Sequence, residues 1–463
     1  MAFDGGVVRG TQAGRPMIAR HDTFESLTTP PAHSKQMEIA RAVARLDVWL
    51  ETMRGPHGYG GPVVHWWQQS MVYTGPGLDW RYEGIIAGYL ALWRASGDAR
   101  WLSRACRAGD DLIAGHLPDG HFRASAFEIN PAPGGTPHEA ACDVGLLMLA
   151  QALRTENDDR WNVYASHAAR NLRMFYIQQL WDDHFGAFRD HPRAATFVPN
   201  KAATVCDALC LLADLTDHEQ LIDRYVLPTL DAIVHHQVRG GRLDGAIAQN
   251  SFGTQQVAKY FPIYIARCIP ALVRGHRQTQ HQSLLDAAMR AMQFIHRWCG
   301  PDGALPTVVY NNERTSDGPM WVAPLGDVLR AAAELRPYGY QGADEPILTR
   351  LLAGQDVTGG IQTATGFGAQ AGGSLSSTPD LRDVIHVVGW CDKAFRYLAA
   401  NCGPSLPEAS CLHFEANVSF RGRPMLFCES QTAIDIHSSG EIRYSWQKGS
   451  DWPSIVREEF WRP

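Results

Sequence analysis

The 463-residue sequence predicts a mainly α-helical fold in which six helical hairpins close into a ring. Three observations support this prediction. About twelve segments have helical periodicity, and they alternate between two types of helix. A glycine-containing turn and a short extended stretch, as in "PDGHFRASAF" at 118–127 and "PDGALPTVVY" at 301–310, separate the two helices of a pair. After about residue 408 the pattern changes to the period of two that is typical of antiparallel strands.

The predicted helices form six pairs along the chain. Helical periodicity is clear at about 35–54, 80–96, 99–115, 137–154, 158–180, 199–214, 217–237, 253–274, 280–298, 319–335, 345–354 and 379–400. The second helix of each pair begins near 79, 137, 199, 253, 319 and 379. The sequences of the units have little in common, so we interpret the recurrence as a repeat of structure and not of sequence.

The two helices of a pair differ in character. The first is amphipathic and charged, as in "DARWLSRACRAGDDLIAGHL", whereas the second is apolar almost all round, as in "ACDVGLLMLAQAL". A helix that is apolar on every face is buried on every face. Six buried helices surrounded by six half-exposed ones describe an (α/α)6 barrel, a toroid of six hairpins. An open solenoid is the alternative, and it would need polar end caps.

The remaining segments complete the predicted domain organisation. Residues 1–33 are rich in Gly, Pro and Thr and are expected to form an N-terminal arm, and residues 34–404 form the barrel. Residues 405–463 are expected to form a small antiparallel β unit that packs on the barrel. In this last part, "RGRP" and "SSGE" are typical of turns.

Composition and charge exclude several classes of function. The net charge is -6 and there is no basic block, so neither nucleic acid nor a membrane surface is an expected partner. The first residues lack the apolar core of a secretory signal, and no apolar run is long enough to span a membrane. The ten cysteines are scattered without a CxxC pair, which predicts reduced thiols, no metal site and a soluble, cytoplasmic protein. No cofactor is predicted, and the oligomeric state stays open.

The pattern of helix pairs, with "DG" and an extended piece after the first helix, resembles the (α/α)6-barrel carbohydrate-active enzymes. That group includes unsaturated glucuronyl hydrolases, sugar 2-epimerases and several polysaccharide lyases. The resemblance covers about residues 35–400 as architecture, and no motif selects one family. Terpenoid and lanthionine cyclases have related toroids, but the chain has no DxDD motif, and "GWC" at 389–391 is followed by Asp392 without a Cys-His partner.

The residues where the inner helices begin are the expected site. The N-termini of six buried helices meet at one mouth of such a barrel, where their dipoles favour anionic groups. The six starts read "GLDWRYEG", "TPHEAACD", "VPNKAATVCD", "QNSFGTQQVAKYFP", "SDGPMWVAPLGD" and "RDVIHVVGWCD". They are rich in carboxylate, amide, Lys, His and Trp, against an apolar background.

Two pairs of carboxylates are candidates for catalysis. Asp79 and Glu83 are four residues apart, as are Glu139 and Asp143, so each pair shares one helix face. Two carboxylates across a funnel can divide the work of breaking a glycosidic bond, one protonating the leaving oxygen and the other activating water or acting as nucleophile. We expect Asp143 to be the general acid. Alternatively, Glu139 completes a capping box with Thr136, and Asp79 caps its helix.

Histidines, cations and aromatic residues complete the predicted site. His386 is a possible proton carrier, and a base of the His, Tyr or Lys type is possible in a lyase or epimerase. Flat aromatic rings can stack on sugar rings, while amides, His and Lys can bind hydroxyl, carboxylate or phosphate groups. The predicted substrate-binding residues are Trp66, Trp67, Trp80, Tyr82, His138, Asn200, Lys201, Asn250, Lys259, Tyr260, Trp321 and Trp390.

These residues predict a carbohydrate-active enzyme that hydrolyses an oligosaccharide in the manner of a glycosidase. A uronate or sugar lyase or epimerase is the first alternative. A cyclase or isomerase of an apolar, isoprenoid-like substrate and a non-catalytic carbohydrate-binding protein are the others, because one barrel supports many activities.

Overall fold

The computed structural model describes residues 33–64, 71–74, 78–123, 139–216, 218–368, 378–450 and 455–456. Of the predicted N-terminal arm, only His33 belongs to this part of the chain. No helix among the described residues combines the length and the apolar character needed to cross a membrane.

Helices make up most of the described structure. They are α1 (His33–Thr52), α2 (Arg81–Ser96), α3 (Ala99–Ala114), α4 (Glu139–Thr155), α5 (Trp161–Asn171), α6 (Pro199–Thr216), α7 (Leu227–His235), α8 (Pro262–Thr279), α9 (Gln282–Trp298), α10 (Leu325–Leu335), α11 (Glu345–Ala353), α12 (Leu381–Val384) and α13 (Val388–Ala400). A π-helical stretch, Leu172–Leu180, extends α5, and another, Ile222–Val226, leads into α7.

The strands are short except near the C-terminus. They are β1 (Arg54–Gly55), β2 (Gly58–Tyr59), β3 (Gly61–Val64), β4 (Met71–Thr74), β5 (Trp181–Asp182), β6 (Ala187–Phe188), β7 (Thr196–Phe197), β8 (Ser251–Phe252), β9 (Gln255–Gln256), β10 (Lys259–Tyr260), β11 (Val309–Tyr310), β12 (Met320–Trp321), β13 (Ala364–Thr365), β14 (Phe414–Phe420), β15 (Arg423–Glu429), β16 (Ala433–Ser438), β17 (Glu441–Gln447) and β18 (Ile455–Val456). The strand β10 pairs with β11, and β12 pairs with β13. These short pairs join segments that lie between helices to one another.

Six helices that are buried along most of their length contact one another in a circuit. α2 contacts α4, and the contacts continue through α6, α8, α10 and α13 back to α2. Glycines allow two of these close approaches. A Cβ on Gly84 would lie 2.5 Å from the backbone oxygen of Asp392, and one on Gly326 would lie 2.3 Å from that of Lys393. The helices α1, α3, α5, α7, α9 and α11 contact this circuit from outside.

Three predicted helix boundaries are wrong. The helix expected at 253–274 begins at Pro262, because the preceding residues form the hairpin β8–β9 and the strand β10. The helix expected at 319–335 begins at Leu325, after strand β12. The helix expected at 379–400 is interrupted at Ile385, whose ψ of 130° is extended, and this divides it into α12 and α13.

The C-terminal residues form the expected antiparallel sheet, in the order β14-β15-β16-β17. Buried charged groups join this sheet to the helices. Glu429 on β15 accepts hydrogen bonds from Trp49 on α1 (2.8 Å) and from Lys448 (2.7 Å), and it lies 3.0 Å from His386. The other ring nitrogen of His386 lies 2.9 Å from Asp356. The sheet therefore docks on the helices through a largely buried ionic cluster.

Candidate functional site

One pocket lies where the six inner helices begin, and its empty space, counted together with the open solvent at its mouth, is about 470 Å³. All six of these helices contribute to its wall, through residues in their first two turns or, for Trp80, just before the helix. The predicted convergence of the helix starts is therefore observed. The pocket is lined by Trp80, Glu83, Ala141, Asn200, Lys201, Thr204, Ile263, Tyr264, Arg267, Asp327, Trp390 and Lys393.

Glu83 is at the centre of the charges around the pocket. Its Oε1 accepts hydrogen bonds from Arg267 (2.8 Å), Arg396 (2.5 Å) and Arg330 (3.3 Å), and its Oε2 accepts a second one from Arg267. Burial, the largest influence, raises the pKa of Glu83, but the three guanidinium groups outweigh it and hold the pKa well below its usual range. The guanidinium groups therefore favour the ionised form of Glu83, and the predicted catalytic role of Glu83 stays a prediction.

Asp327 is the second carboxylate in the pocket wall. Its Oδ1 accepts a hydrogen bond from Arg396, which also binds Glu83, so one guanidinium group joins the two carboxylates. Burial, and then the charge of Arg396, lower the pKa of Arg330 to about 10. Arg330 is still a cation near neutral pH. Three guanidinium groups thus face two carboxylates, which leaves a surplus positive charge beside the pocket.

Two lysines of the pocket are held by carboxylates of their own. Lys393 donates to both oxygens of Asp392, at 2.8 and 2.9 Å, and its ammonium group lies 4.9 Å from the ring centre of Trp80. Burial raises the pKa of Asp392 to about 7, although Lys393 opposes the shift. Lys201 lies 2.9 Å from Asp190. Each ammonium group is therefore paired with a carboxylate outside the pocket lining.

Tryptophan rings form an apolar part of the pocket wall. The ring centres of Trp80 and Trp390 are 4.9 Å apart, and both residues line the pocket. Trp321, also predicted to bind substrate, is fully buried and packs 5.3 Å behind Trp390. It supports the ring of Trp390 instead of facing the pocket. The pocket thus combines flat apolar surface with charged and amide groups.

Asp143 and Glu139 lie away from the pocket, so the prediction that they act in it does not fit their position. Glu139 contacts His121 (3.3 Å) and accepts from Asn171 on α5 (2.5 Å), which places it between α4 and the outer layer. Asp143 is fully buried, and both of its oxygens lack a hydrogen-bond partner among the described residues. Burial, and then the charge of Glu139, raise the pKa of Asp143 well above its usual value.

Asp79 and His386 also have structural partners away from the pocket lining. Asp79 precedes α2 and accepts both the backbone N–H (3.1 Å) and the side chain (2.8 Å) of Arg81, which corrects the prediction that it shares a helix face with Glu83. His386 lies between two carboxylates in the docking cluster of the C-terminal sheet. Burial lowers the pKa of His386, but Asp356 and Glu429 outweigh it and raise the pKa to about 10. A base that is already protonated near neutral pH cannot accept a proton.

The predicted substrate-binding residues divide into three groups. Trp80, Asn200, Lys201 and Trp390 line the pocket. Five others do not line the pocket. Trp321 packs against Trp390, Tyr82 is buried and donates to Asp111 at 3.4 Å, Tyr260 packs on Phe294, Lys259 is exposed, and the backbone of Asn250 closes a turn with Val257. Trp66, Trp67 and His138 lie outside the described residues, as does Thr136 of the proposed capping box.

Sequence reasoning missed the arginines around Glu83. Arg267, Arg330 and Arg396 each lie on a helix predicted to be apolar almost all round. A guanidinium group on such a helix needs a buried carboxylate as partner, and this was a usable signal. Tyr264 and Lys393 were also missed, each within one turn of a residue that belongs to the site.

Comparisons with known proteins show a shared fold. No family model matches the chain, and no curated protein matches it. Among solved structures, a cellobiose 2-epimerase from Bacillus thermoamylovorans has 11% identity and a TM-score of 0.58, covering 78% of this chain and 98% of its own. A possible GH105 family member from Klebsiella pneumoniae has 11% identity and a TM-score of 0.55, covering 84% and 98%.

An unsaturated glucuronyl hydrolase from Bacillus sp. GL1, responsible for glycosaminoglycan degradation, has 14% identity and a TM-score of 0.52, covering 78% of this chain and 94% of its own. These structures are (α/α)6-barrel carbohydrate-active enzymes, so the resemblance predicted from the sequence is confirmed. At such low identities the likeness concerns the fold.

Proposed function

We propose that this protein is a carbohydrate-active enzyme that hydrolyses a glycosidic bond in the pocket of the six inner helices. The observation that carries the proposal is the pairing of Trp80 and Trp390 with the charged cluster of Glu83 and Asp327 in one pocket wall. Aromatic rings bind the C–H faces of a sugar, while the charged and amide groups bind its hydroxyls. The barrel-type fold of the compared structures supports the same conclusion.

Asp327 is the proposed catalytic carboxylate. Arg396 donates a hydrogen bond to the Oδ1 of Asp327. Among the described residues, no group donates a hydrogen bond to its Oδ2. Glu83 is saturated by three guanidinium groups, and we assign it a positioning role. The paired carboxylates of this proposal are thus Asp327 and Glu83, with Asp327 acting on the leaving oxygen or on water. Asp392, with a pKa of about 7, holds Lys393 beneath Trp80.

The closed circuit of helix contacts supports an (α/α)6 barrel for residues 34–404, with residues 405–463 as a β unit docked on it. The unpaired thiols of the ten cysteines support the reducing compartment expected from the sequence. Substrate, and not metal or cofactor, is the expected occupant of the pocket.

A lyase or epimerase is the second candidate, because Tyr264 and Arg267 lie one turn apart on α8 and both line the pocket. A tyrosine beside a guanidinium group can act as base in β-elimination from a uronic acid, whose carboxylate the surplus positive charge would hold. The product would carry a carbon–carbon double bond, which absorbs ultraviolet light. The charged pocket wall does not favour an isoprenoid substrate.

A panel of 4-nitrophenyl glycosides, oligosaccharides and uronate-containing glycans tests the proposal. We expect release of reducing sugar or nitrophenol by the wild type. Asp327→Asn should lower turnover per folded molecule by about 100-fold or more. The control Asp214→Asn removes a half-buried carboxylate that lies outside the pocket lining and accepts from Gln278, and it should keep wild-type turnover. An increase in ultraviolet absorbance without hydrolysis would favour the lyase. Binding that depends on Trp390, with no turnover of any compound, would indicate a non-catalytic protein.

A further inference from the structure

The most exposed large apolar side chain among the described residues belongs to the hairpin β8–β9. This side chain is that of Phe252, which keeps 63% of its surface accessible. Strand β8 pairs with β9 on one side and with β7 on the other. Thr196 on β7 and Gln255 on β9 lie directly opposite Phe252, so the three side chains share one face of this small sheet. We call the face formed by Thr196, Phe252 and Gln255 the platform.

The other face of the sheet holds the platform in place. Ser251 and Phe197 point to that side and are buried. The Oγ of Ser251 lies 2.9 Å from the Nε2 of His236, just after α7, and the ring centres of Phe197 and His236 are 4.8 Å apart. Turning Phe252 inward would pull these side chains out of the protein. Phe252 is therefore held at the surface by the packing beneath it.

The platform is continuous with the pocket. Thr196 is four residues before Asn200, which lines the pocket, and β9 leads through β10 into α8, whose Tyr264 also lines the pocket. Asn200 and Tyr264 border a small hollow together with Gln249, which is two residues before Ser251. Adjoining residues thus form the surface from the pocket to the foot of the hairpin. An elongated ligand that leaves the pocket between α6 and α8 would pass over the platform.

The platform has the chemistry that one face of a sugar ring requires. A flat aromatic ring can stack on the C–H face of a pyranose, as proposed for the tryptophans of the pocket. The exposed amide of Gln255, beside Phe252, can donate hydrogen bonds to sugar hydroxyls and accept them. An aromatic ring and an amide on one rigid face therefore match one pyranose.

A protein partner fits the platform less well. A stable protein–protein interface buries about 800 Å² on each partner and has an apolar core. The residues that follow Phe252 in the hairpin include Thr254, Gln255 and Gln256, which are exposed and polar. One aromatic ring among polar side chains is too small for such a core, but it is comparable in size to one sugar ring.

We propose that the platform binds a further sugar ring of the substrate, stacked on Phe252 and hydrogen-bonded to Gln255, while the reacting sugar lies in the pocket. The inference rests on the proposed function. It specifies the substrate as an oligosaccharide that extends from the pocket across the hairpin β8–β9. Phe252 is then the residue that makes the protein prefer this substrate to a single sugar.

Binding of two sets of probes to the full chain, measured by saturation-transfer NMR, tests the inference. The long probes are cellotetraose, mannotetraose, xylotetraose and tetragalacturonate, and the single-ring probes are the methyl glycosides of the same four sugars. At least one long probe should bind the wild type more tightly than its single-ring counterpart. Phe252→Ala should weaken that long probe by roughly 10-fold and leave the single-ring probe unchanged, because only the long probe reaches the platform.

Two further variants serve as controls. Phe252→Trp keeps an aromatic face and should bind the long probe at least as tightly as the wild type does. Ile442→Ala removes a similarly exposed apolar side chain (59%) on β17 and should change neither affinity.

Three outcomes would overturn the inference: no long probe that binds more tightly than its single-ring counterpart, equal weakening of both probes by Phe252→Ala, or self-association of the wild type that Phe252→Ala abolishes without changing the affinity for the long probe. The last result would identify a second copy of the chain as the occupant of the platform.

The two proposals fail separately, because binding is measured without turnover. Binding of a long probe that depends on Phe252, with no cleavage of any glycoside, would contradict the proposed function alone. Cleavage of a glycoside by a protein whose affinity for every long probe is unchanged by Phe252→Ala would contradict this inference alone.

Discussion

Replacing Asp143 by Asn should change how the stability of the protein depends on pH. Asp143 is fully buried, no described residue donates a hydrogen bond to its oxygens, and the like charge of Glu139 acts on it. Burial and this repulsion raise the pKa of Asp143 well above 3.8 in the folded protein. Between that ordinary value and the raised one, the folded state keeps a proton that the unfolded chain has released.

The expected magnitude follows from this single proton. In the window between the two pKa values, the free energy of unfolding falls by about 1.4 kcal/mol for each unit of rising pH. Asp143→Asn removes this loss, so the stability difference between variant and wild type should shift in favour of the variant by about 1.4 kcal/mol per pH unit. The quantity to compare is the slope of the free energy of unfolding against pH. The buried Asn amide also lacks hydrogen-bond partners, but the free-energy cost of burying it does not vary with pH.

Urea unfolding of both proteins from about pH 5 to about pH 8 measures this slope. Asp223→Asn, at an exposed position, is the matched control and should run parallel to the wild type. Parallel curves for Asp143→Asn would mean that Asp143 is ionised in the folded state and has a cation partner, which would refute the reasoning. Activity per folded molecule should stay near that of the wild type, because Asp143 lies outside the pocket wall.

Further variants test the two ionic clusters and the thiols. Glu83→Gln should cost about 3–5 kcal/mol in urea unfolding, because it leaves buried guanidinium groups without their carboxylate, whereas Glu334→Gln in a more exposed pair should cost less than about 1 kcal/mol. His386→Asn should destabilise by a similar 3–5 kcal/mol near neutral pH. The stabilisation by His386 is complete below its ordinary pKa of 6.5 and is lost as the pH rises through its folded pKa of about 10. The exposed His413→Asn should change stability by less than about 0.5 kcal/mol, and an equal loss in both variants would contradict the docking role of His386. Denatured protein without reductant should titrate close to ten thiols, and a stable disulfide would oppose the reducing compartment.

Much of the helical structure could be predicted because the inner helices are apolar on all faces. Long periodic segments such as Pro199–Thr216 leave little choice of structure. The predicted helix boundaries are wrong where a polar segment before the helix happens to have the same spacing of apolar residues as the helix. The residues before Pro262 form a hairpin, and the positive φ of Gly253 (58°) is a local signal of its turn.

The candidate pocket lies where the sequence predicts the inner helices to begin, but several of the predicted side chains do not line it. Gln249, rather than Asn250, lines a small hollow between the first turns of α6 and α8, and Phe261 lines it rather than Tyr260. Such errors of one position arise because successive residues in an extended segment point to opposite sides. The direction of Asp143 depends on the rotation of α4 about its axis, which its neighbours fix. Local sequence carries no information about that rotation.

The central claim is that the reacting carboxylate lies in the pocket wall and not in the buried acid pair of α4. The most direct test is kcat/KM of Asp327→Asn and of Asp143→Asn, measured side by side on a glycoside that the wild type cleaves and corrected for the folded fraction. We predict a loss of about 100-fold or more for Asp327→Asn and a change of less than about 3-fold for Asp143→Asn. The reverse order of losses would contradict the claim and would return the catalytic role to Asp143.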